Sequence, residues 1–394
     1  MAFLPRAVAL LLAALPVAGS NGELGPGFEA FYNLDYDTAI GEFRKEIAGQ
    51  PDSPAAYNHL AQAILYRHMF RAGALETELV SGNNPFLRRP KVEPSAADQK
   101  EFDESIAKAM ELSQARLRQN PNDASAMYLL GIAHGLRANY GFLVRKAWMD
   151  ALRDATAARK LHNKVSQLEP SNVDARLVQG LHDYVVGSLP WTWRFLGFLV
   201  GFRGDKDEGI RTIELVAREG HRNRVDAKII LAAIYRREKM SHKAIPVAQE
   251  LSARYPRNFL LRFELVQMYS DSGQKEAALQ ELAAIESLKG AGAPGYDHVP
   301  LEKIFYTRGN LQFWYGDLDA ALENVLRASQ HADALDLNTG VLALMRLGQI
   351  YDLKGQRQEA LEAYRRAIAY APESDAARES RGYLSRPYRR EKAG

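Results

Sequence analysis

The sequence predicts an all-α chain built from stacked pairs of antiparallel helices. Three observations predict it. Apolar residues recur with a 3.6-residue period in every periodic segment, and none shows the two-residue alternation of a half-buried strand. Leu231, Tyr235 and Ala244 recur as Leu265, Tyr269 and Ala278, each 34 residues later. Glycine and proline, as at Gly355 and Pro372, fall where the periodic segments end.

The N-terminus MAFLPRAVALLLAALPVAGS has one early charge, Arg6, then an apolar core from Ala7 to Val17 and small residues at Ala18, Gly19 and Ser20. That is the layout of a secretory signal, and eleven apolar residues are too few to span a bilayer. The expectation is an exported protein of the periplasm or cell envelope, cut after Gly19 or Ser20. The chain has no cysteine, which removes disulfides, thiol nucleophiles, thiolate metal sites and a lipid-modified N-terminus together. A net charge of +3 over 394 residues is too small to imply nucleic acid. The basic clusters Arg88–Lys91 and Arg386–Lys392 read as solvated loop and tail.

The helix pairs come next, in chain order. Ala39, Phe43, Ile47 and Pro51 read as the second helix of a first pair capped by Asp37, and Leu60, Ala61 and Ile64 begin the next. Gly131 and Gly180 mark two further first helices, while Pro121 and Pro170 close second helices. Phe305, Gly309, Ala321 and Ala328 form another copy, and a five-residue expansion separates it from the last. That last copy is the fullest: Leu344, Leu347, Gly348, Tyr351, Ala360, Tyr364, Ala367 and Pro372. Gly348 and Ala360 are small where two helices cross, and Leu344, Leu347 and Tyr351 form an inward stripe.

This pattern resembles the tetratricopeptide repeat, a helix pair of about 34 residues, over roughly residues 25–380. The resemblance implies a right-handed α-α superhelix. It divides the chain into a signal (1–20), degenerate N-terminal repeats (21–220), C-terminal repeats (221–380) and a basic tail (381–394). Long insertions are expected in the N-terminal repeats at about Arg67–Asp98, at Asn139–Asp154 and in the stretch GSLPWTWRFLGFLVGFRGDKDEG, residues 187–209.

That third stretch carries Trp191, Trp193, Phe195, Phe198 and Phe202 with a single charge, Arg194, between Leu189 and Phe202. Asp205 followed by Glu208 has the spacing of a capping box, so a new helix begins near Lys206. Fourteen residues are too short to span a membrane. Apolar on all sides, the segment is either packed inside the superhelix or a surface for a partner or lipid, and WTWRF has interfacial character.

No catalytic constellation emerges. Gly290–Gly295 matches G-x-G-x-x-G but comes after a helix rather than a strand, so it reads as a linker. The nine histidines are scattered, and His134 and His182 fall on first-helix faces as satisfied side chains rather than metal ligands. Asp35 and Asp37 lack the glycine and terminal glutamate of a calcium loop. The function this supports is a non-enzymatic scaffold or adaptor, without cofactor or metal, that binds a protein or peptide in its groove. The alternative is a membrane-peripheral or lipid-associated repeat protein that uses residues 189–202. Groove-facing positions on first helices are Leu177, Leu181, Tyr184, Ile229, Arg236, Phe263, Gln267, Lys303, Tyr306, Asn310, Phe313, Met345 and Gln349. Lys303 and Asn310 resemble part of a carboxylate clamp, but Tyr306 stands where a second lysine is needed, so no clamp is assigned.

Overall fold

The computed structural model describes residues 25–73, 75, 94–190 and 204–390. The segment 1–20 and the aromatic residues Trp191, Trp193, Phe195, Phe198 and Phe202 lie outside the described residues. Seventeen α-helices and no strand occur among the described residues. The fold is all-α, an array of antiparallel helix pairs. It forms two compact units, residues 1–258 and 259–394.

The first unit runs through α1 (Pro26–Tyr32), α2 (Tyr36–Gly49), α3 (Pro54–Arg71), α4 (Ala96–Gln119), α5 (Ala124–Tyr140), α6 (Trp148–Leu168), α7 (Leu177–Gly187), α8 (Lys206–Glu219), α9 (Arg224–Arg237) and α10 (Ser241–Arg254). The cap read at Asp205 is present: its carboxylate accepts the Glu208 amide at 2.8 Å and α8 starts at Lys206. Two expectations are corrected. The cap of α2 is Asp35, which accepts from the Thr38 amide, while Asp37 lies inside the first turn and pairs with Arg67 at 2.5 Å. No long loop separates α5 from α6 either. A π-helical turn, Gly141–Arg145, joins them, because Phe142, Leu143 and Val144 are buried and carry the apolar run straight on.

This unit closes on itself. The Tyr32 hydroxyl donates to buried Asp226 of α9 at 2.9 Å, and the Tyr32 and Tyr255 rings lie 5.0 Å apart. Asn258 Nδ2 donates to the Tyr32 carbonyl at 2.8 Å, and the Arg257 amide to Asn33 Oδ1 at 3.0 Å. The first helix is thus fastened to the last pair of its unit, whereas repeats in a simple stack touch only their neighbours. These bonds hold α9 and α10 in the first unit.

The second unit contains α11 (Phe259–Asp271), α12 (Lys275–Gly290), α13 (Leu301–Tyr315), α14 (Leu318–Gln330), α15 (Leu337–Leu353), α16 (Arg357–Tyr370) and α17 (Asp375–Ser385). Glycine sits where the helices of a pair touch: a Cβ on Gly309 would lie 2.6 Å from Val325, and one on Gly348 2.5 Å from the Tyr364 ring. Gly355, at φ +76°, turns the chain out of α15 in a conformation that other residues rarely adopt. Asp336 caps α15 by accepting the Asn338 and Thr339 amides. Asp336→Ala is expected to cost about 1 kcal/mol, measured by denaturant unfolding, with the loss confined to the second unit. Gly290 ends α12 and the rest of the Gly290–Gly295 stretch lies in the loop before α13, with Gly292 and Gly295 at positive φ.

Candidate functional site

The first helices of the second unit meet along one ladder of side chains. The Lys303 ammonium of α13 stands 5.2 Å from the centre of the Phe263 ring of α11. Arg346 of α15 lies 4.1 Å over the Phe313 ring and 4.8 Å over Trp314, both of α13. Gln349 of α15 lies near the Tyr383 side chain of α17. Cations held over aromatic faces in a dry setting are attracted by the ring quadrupole.

Arg346 is the unusual member. It is 8% exposed, and burial pushes its guanidinium below the ordinary arginine range. Its Nη1 donates to Gln349 Oε1 at 2.6 Å, its Nε has no hydrogen-bond partner, and it makes no ion pair among the described residues. A charge taken out of water without an ion-pair partner is costly; the two rings, the Gln349 oxygen and the longer-range charge of Glu379 offset that cost here. On α13, the Oδ1 of Asn310 is buried and has no hydrogen-bond partner either.

At the end of α15 stands a second polar knot. The Asp352 side chain is fully buried and accepts from Arg357 Nη1 at 2.8 Å, from the Tyr364 hydroxyl at 2.9 Å and from the Tyr388 amide at 2.7 Å. Arg357 Nη2 in turn donates to the Tyr383 and Leu384 carbonyls at 2.7 and 2.9 Å. This knot ties the end of α17 to α15 and sets the path of the last residues. Beyond Ser385 the chain turns back across the first helices. The Tyr388 ring lies 6.0 Å from Phe313 and 5.5 Å from Tyr383, and the Arg390 guanidinium stacks 4.9 Å over Phe313 and donates to its carbonyl.

The stretch 381–394 read as a basic tail begins inside α17, which extends through Ser385; beyond it Arg386, Arg389 and Arg390 are exposed, while the Tyr388 amide and the Arg390 guanidinium bond to the unit. A sequence reading weighs the arginines and misses the lone Tyr388, whose ring and amide both find partners. The groove positions divide. Tyr184 and Arg236 belong to the first unit; Tyr184 is fully buried, hydrogen-bonded to Glu238 at 2.9 Å, and is core rather than groove. Phe263, Gln267, Lys303, Tyr306, Asn310, Phe313 and Gln349 belong to the second. Of these, Gln267, Lys303 and Asn310 are half-buried, and Phe263, Tyr306, Phe313 and Gln349 are buried. Phe313 and Gln349 are covered by the chain's own Tyr388, Arg390 and Tyr383. Periodicity does not single out Arg346, Trp314 or Asp352, because a helical stripe ranks apolar positions and gives no weight to a charge that folding buries.

Other clusters are self-satisfied. A cavity of about 310 Å³ in the first unit is lined by Arg137, Arg145, Asp150, Arg153 and Asp154. Arg137 pairs with Asp154, Arg145 with Asp103 and Arg153 with Asp150. Burial raises the Asp154 pKa, but the bonds from His134 and Arg137 outweigh it and bring the carboxyl to about 2. Among the described residues no group of three or more histidine and acidic side chains has the placement to hold a metal ion, and no helix is long and apolar enough to cross a membrane.

Comparison with known families agrees with the fullest copy of the pattern. Residues 341–374 match the tetratricopeptide repeat. Comparison with curated proteins finds no match. Among solved structures, yeast Tom70 is 13% identical, with a TM-score of 0.41, and the alignment covers 91% of this chain and 86% of that one. Human IFIT1, solved as a dimer with PPP-AAAA, is 16% identical with a TM-score of 0.40, covering 86% and 69%. The APC/C hetero-tetramer Cut9–Hcn1 is 14% identical at 0.40, covering 89% of this chain and 59% of that one. The tetratricopeptide-like reading rests on the helix pairs themselves and on the matched copy: the Leu344–Leu347 stripe, the Gly348–Tyr364 contact and buried Ala360 all lie inside it.

Proposed function

We propose that this protein is a non-catalytic scaffold or adaptor of the cell envelope that binds a protein or peptide partner along the first helices of its C-terminal repeats. Helical repeats of this type typically serve as interaction scaffolds, because stacked first helices present a long row of side chains to one ligand. The observation that carries the reading is the ladder from Phe263 and Lys303 to Phe313, Trp314, Arg346 and Gln349, with a buried guanidinium that makes no ion pair among the described residues. Export rests on the composition of residues 1–20, which carry a short apolar core between one charge and small residues.

Site-specific photo-cross-linking in the native host tests both parts. A photoreactive amino acid at Gln267 is expected to capture one discrete protein in the envelope fraction. The same group at Arg327, exposed on the second helix α14, is expected to capture none. Equal labelling from both positions, or none from Gln267, would reject the binding face. A mature chain found in the cytosol with Met1 intact would reject export.

A further inference from the structure

We propose that the edge of the first unit where its first helices end is a docking surface for an anionic phospholipid bilayer. Trp148, Met149 and Leu152 enter the interface, and Arg145 and Arg153 take lipid phosphates. The proposal concerns the first unit alone and does not rest on the binding face of the second.

The turns of the first unit gather at this edge. Arg67, near the end of α3, pairs with Asp98 in the first turn of α4 at 3.0 Å. Phe102 of α4 stacks on Tyr140, the last residue of α5, with ring centres 4.0 Å apart. The π-helical turn then leads into α6. α7 runs back along α6, with Arg159 bonded to His182 at 2.9 Å, so the chain leaves α7 at Gly187 toward the start of α6. Segments inserted into a repeat array fall on one face, which is often the face that binds.

Here α6 opens with an exposed apolar cluster. Trp148, Met149 and Leu152 are 41%, 73% and 39% exposed. Trp148 and Leu152 stand one turn apart on one side of the helix, with Met149 beside them. Half of the exposed large apolar side chains among the described residues fall within these five positions, unlike the single scatter of an ordinary surface.

Charge decides the occupant. Beside the cluster lies the cavity of about 310 Å³, lined by Arg137, Arg145 and Arg153 against Asp150 and Asp154. Arg137 is committed, since its Nε and Nη2 donate to Asp154 at 2.7 and 2.6 Å. Arg145 and Arg153 pair with Asp103 and Asp150, but these four side chains are 41–79% exposed, and pairs so exposed contribute little. Both guanidiniums can therefore exchange a carboxylate for a phosphate, which arginine binds in a two-pronged geometry. The sequence between Pro190 and Gly204, which leaves and rejoins the fold at this edge, has Arg194 and Arg203 and no acidic residue. Tryptophan, methionine and leucine flanked by arginines have the character of an interfacial anchor. Three apolar side chains are also far fewer than the roughly 20–30 residues a side of a stable protein interface, whereas a bilayer asks only for shallow insertion.

The chain has no cysteine, so a thiol placed at one position takes a fluorophore there alone. Met149→Cys and, as the control in the second unit, Arg327→Cys are made in residues 21–394 and labelled with nitrobenzoxadiazole. The probes are vesicles of phosphatidylglycerol and phosphatidylcholine in equal parts, and vesicles of phosphatidylcholine alone, with or without nitroxide-labelled lipid. On the anionic vesicles the label at 149 is expected to brighten, shift to the blue and be quenched by nitroxide lipid, and the label at 327 to do none of these. Flotation of the unlabelled chain on the same vesicles is expected to weaken at least about tenfold when Met149→Asp is combined with Leu152→Asp. Arg145→Gln with Arg153→Gln is expected to weaken it roughly tenfold or more and to flatten its dependence on salt. Melting curves establish that each chain is folded. A label at 149 already blue-shifted without lipid, and unchanged by it, would show the cluster covered by the chain itself and overturn the proposal. So would anionic flotation that survives the aspartate pair, equal flotation on phosphatidylcholine alone, or no flotation on either. Dimers that form with concentration and are lost in the aspartate pair would assign the cluster to a second copy, and also overturn it. Cross-linking at Gln267 tests the second unit separately and is untouched by any of these results.

Discussion

A Gly348→Val chain is expected to unfold its second unit roughly 10 °C below the unaltered protein, a loss of about 3 kcal/mol. The first added carbon would lie 2.5 Å from Cε1 and 2.7 Å from Cδ1 of Tyr364, closer than any carbon contact in a relaxed core. Relief by rotating the ring is blocked. Tyr364 is fully buried, and its hydroxyl is held by Asp352, which also binds Arg357 and the Tyr388 amide. The strain must therefore separate α15 from α16 or break the polar knot that seats the tail. Gly382→Val is the control: it sits in α17, nothing lies within 4 Å of its added carbon, and the change is expected to move the melting curve by little. The measurement is thermal unfolding monitored at 222 nm. A Gly348→Val chain that melts like the Gly382→Val chain would show that these two helices do not meet at their glycine.

The contact at Gly348 is also where sequence and structure agree best, and the reason is local. A glycine, an alanine and a helical stripe within one 34-residue copy are each set by neighbours close in sequence, so their spacing announces the pair. Asp205 is legible for the same reason, since a cap is decided within four residues. The hidden part is non-local. Nothing in the seven residues of α1 reveals that Tyr32 will reach Asp226, 194 positions away. The candidate site divides in the same way. Phe313 and Gln349 can be placed from stripe position, whereas Arg346 and Asp352 matter through what other helices and the last residues bring to them. Burial of a lone guanidinium and capture of a returning tail are outcomes of packing, and no periodicity encodes them.

Closure of the first unit sets up the other large effect. Tyr32→Ala is expected to cost about 3–5 kcal/mol, the range for emptying a buried aromatic site. Tyr32 is 3% exposed, packs against Phe28, Phe31 and Tyr255, and gives its hydroxyl to Asp226, whose carboxyl is itself buried. Truncation empties the ring's site and also strips Asp226 of its side-chain donor, and a buried polar group left unmatched adds its own penalty. Where the loss appears matters more than its size. In a stack whose repeats touch only their neighbours, a change in the first helix loosens α1 to α3 and leaves the distant pair as it was. Here Asn258 binds the Tyr32 carbonyl, Arg257 binds Asn33, and Arg254 pairs with Glu29 at 2.9 Å, so α9 and α10 depend on the same helix. Native-state hydrogen exchange is therefore expected to show faster amide exchange in Arg224–Arg254 as well as in Tyr36–Arg71, with Lys206–Glu219 less affected. Tyr32→Phe keeps the ring and removes only the hydroxyl. It is expected to lose about 1–3 kcal/mol, with the exchange change concentrated around Asp226. Protection of Arg224–Arg254 that is unchanged in the Tyr32→Ala chain would mean that the first unit is an open stack, and that the contacts fastening its two ends carry no stability.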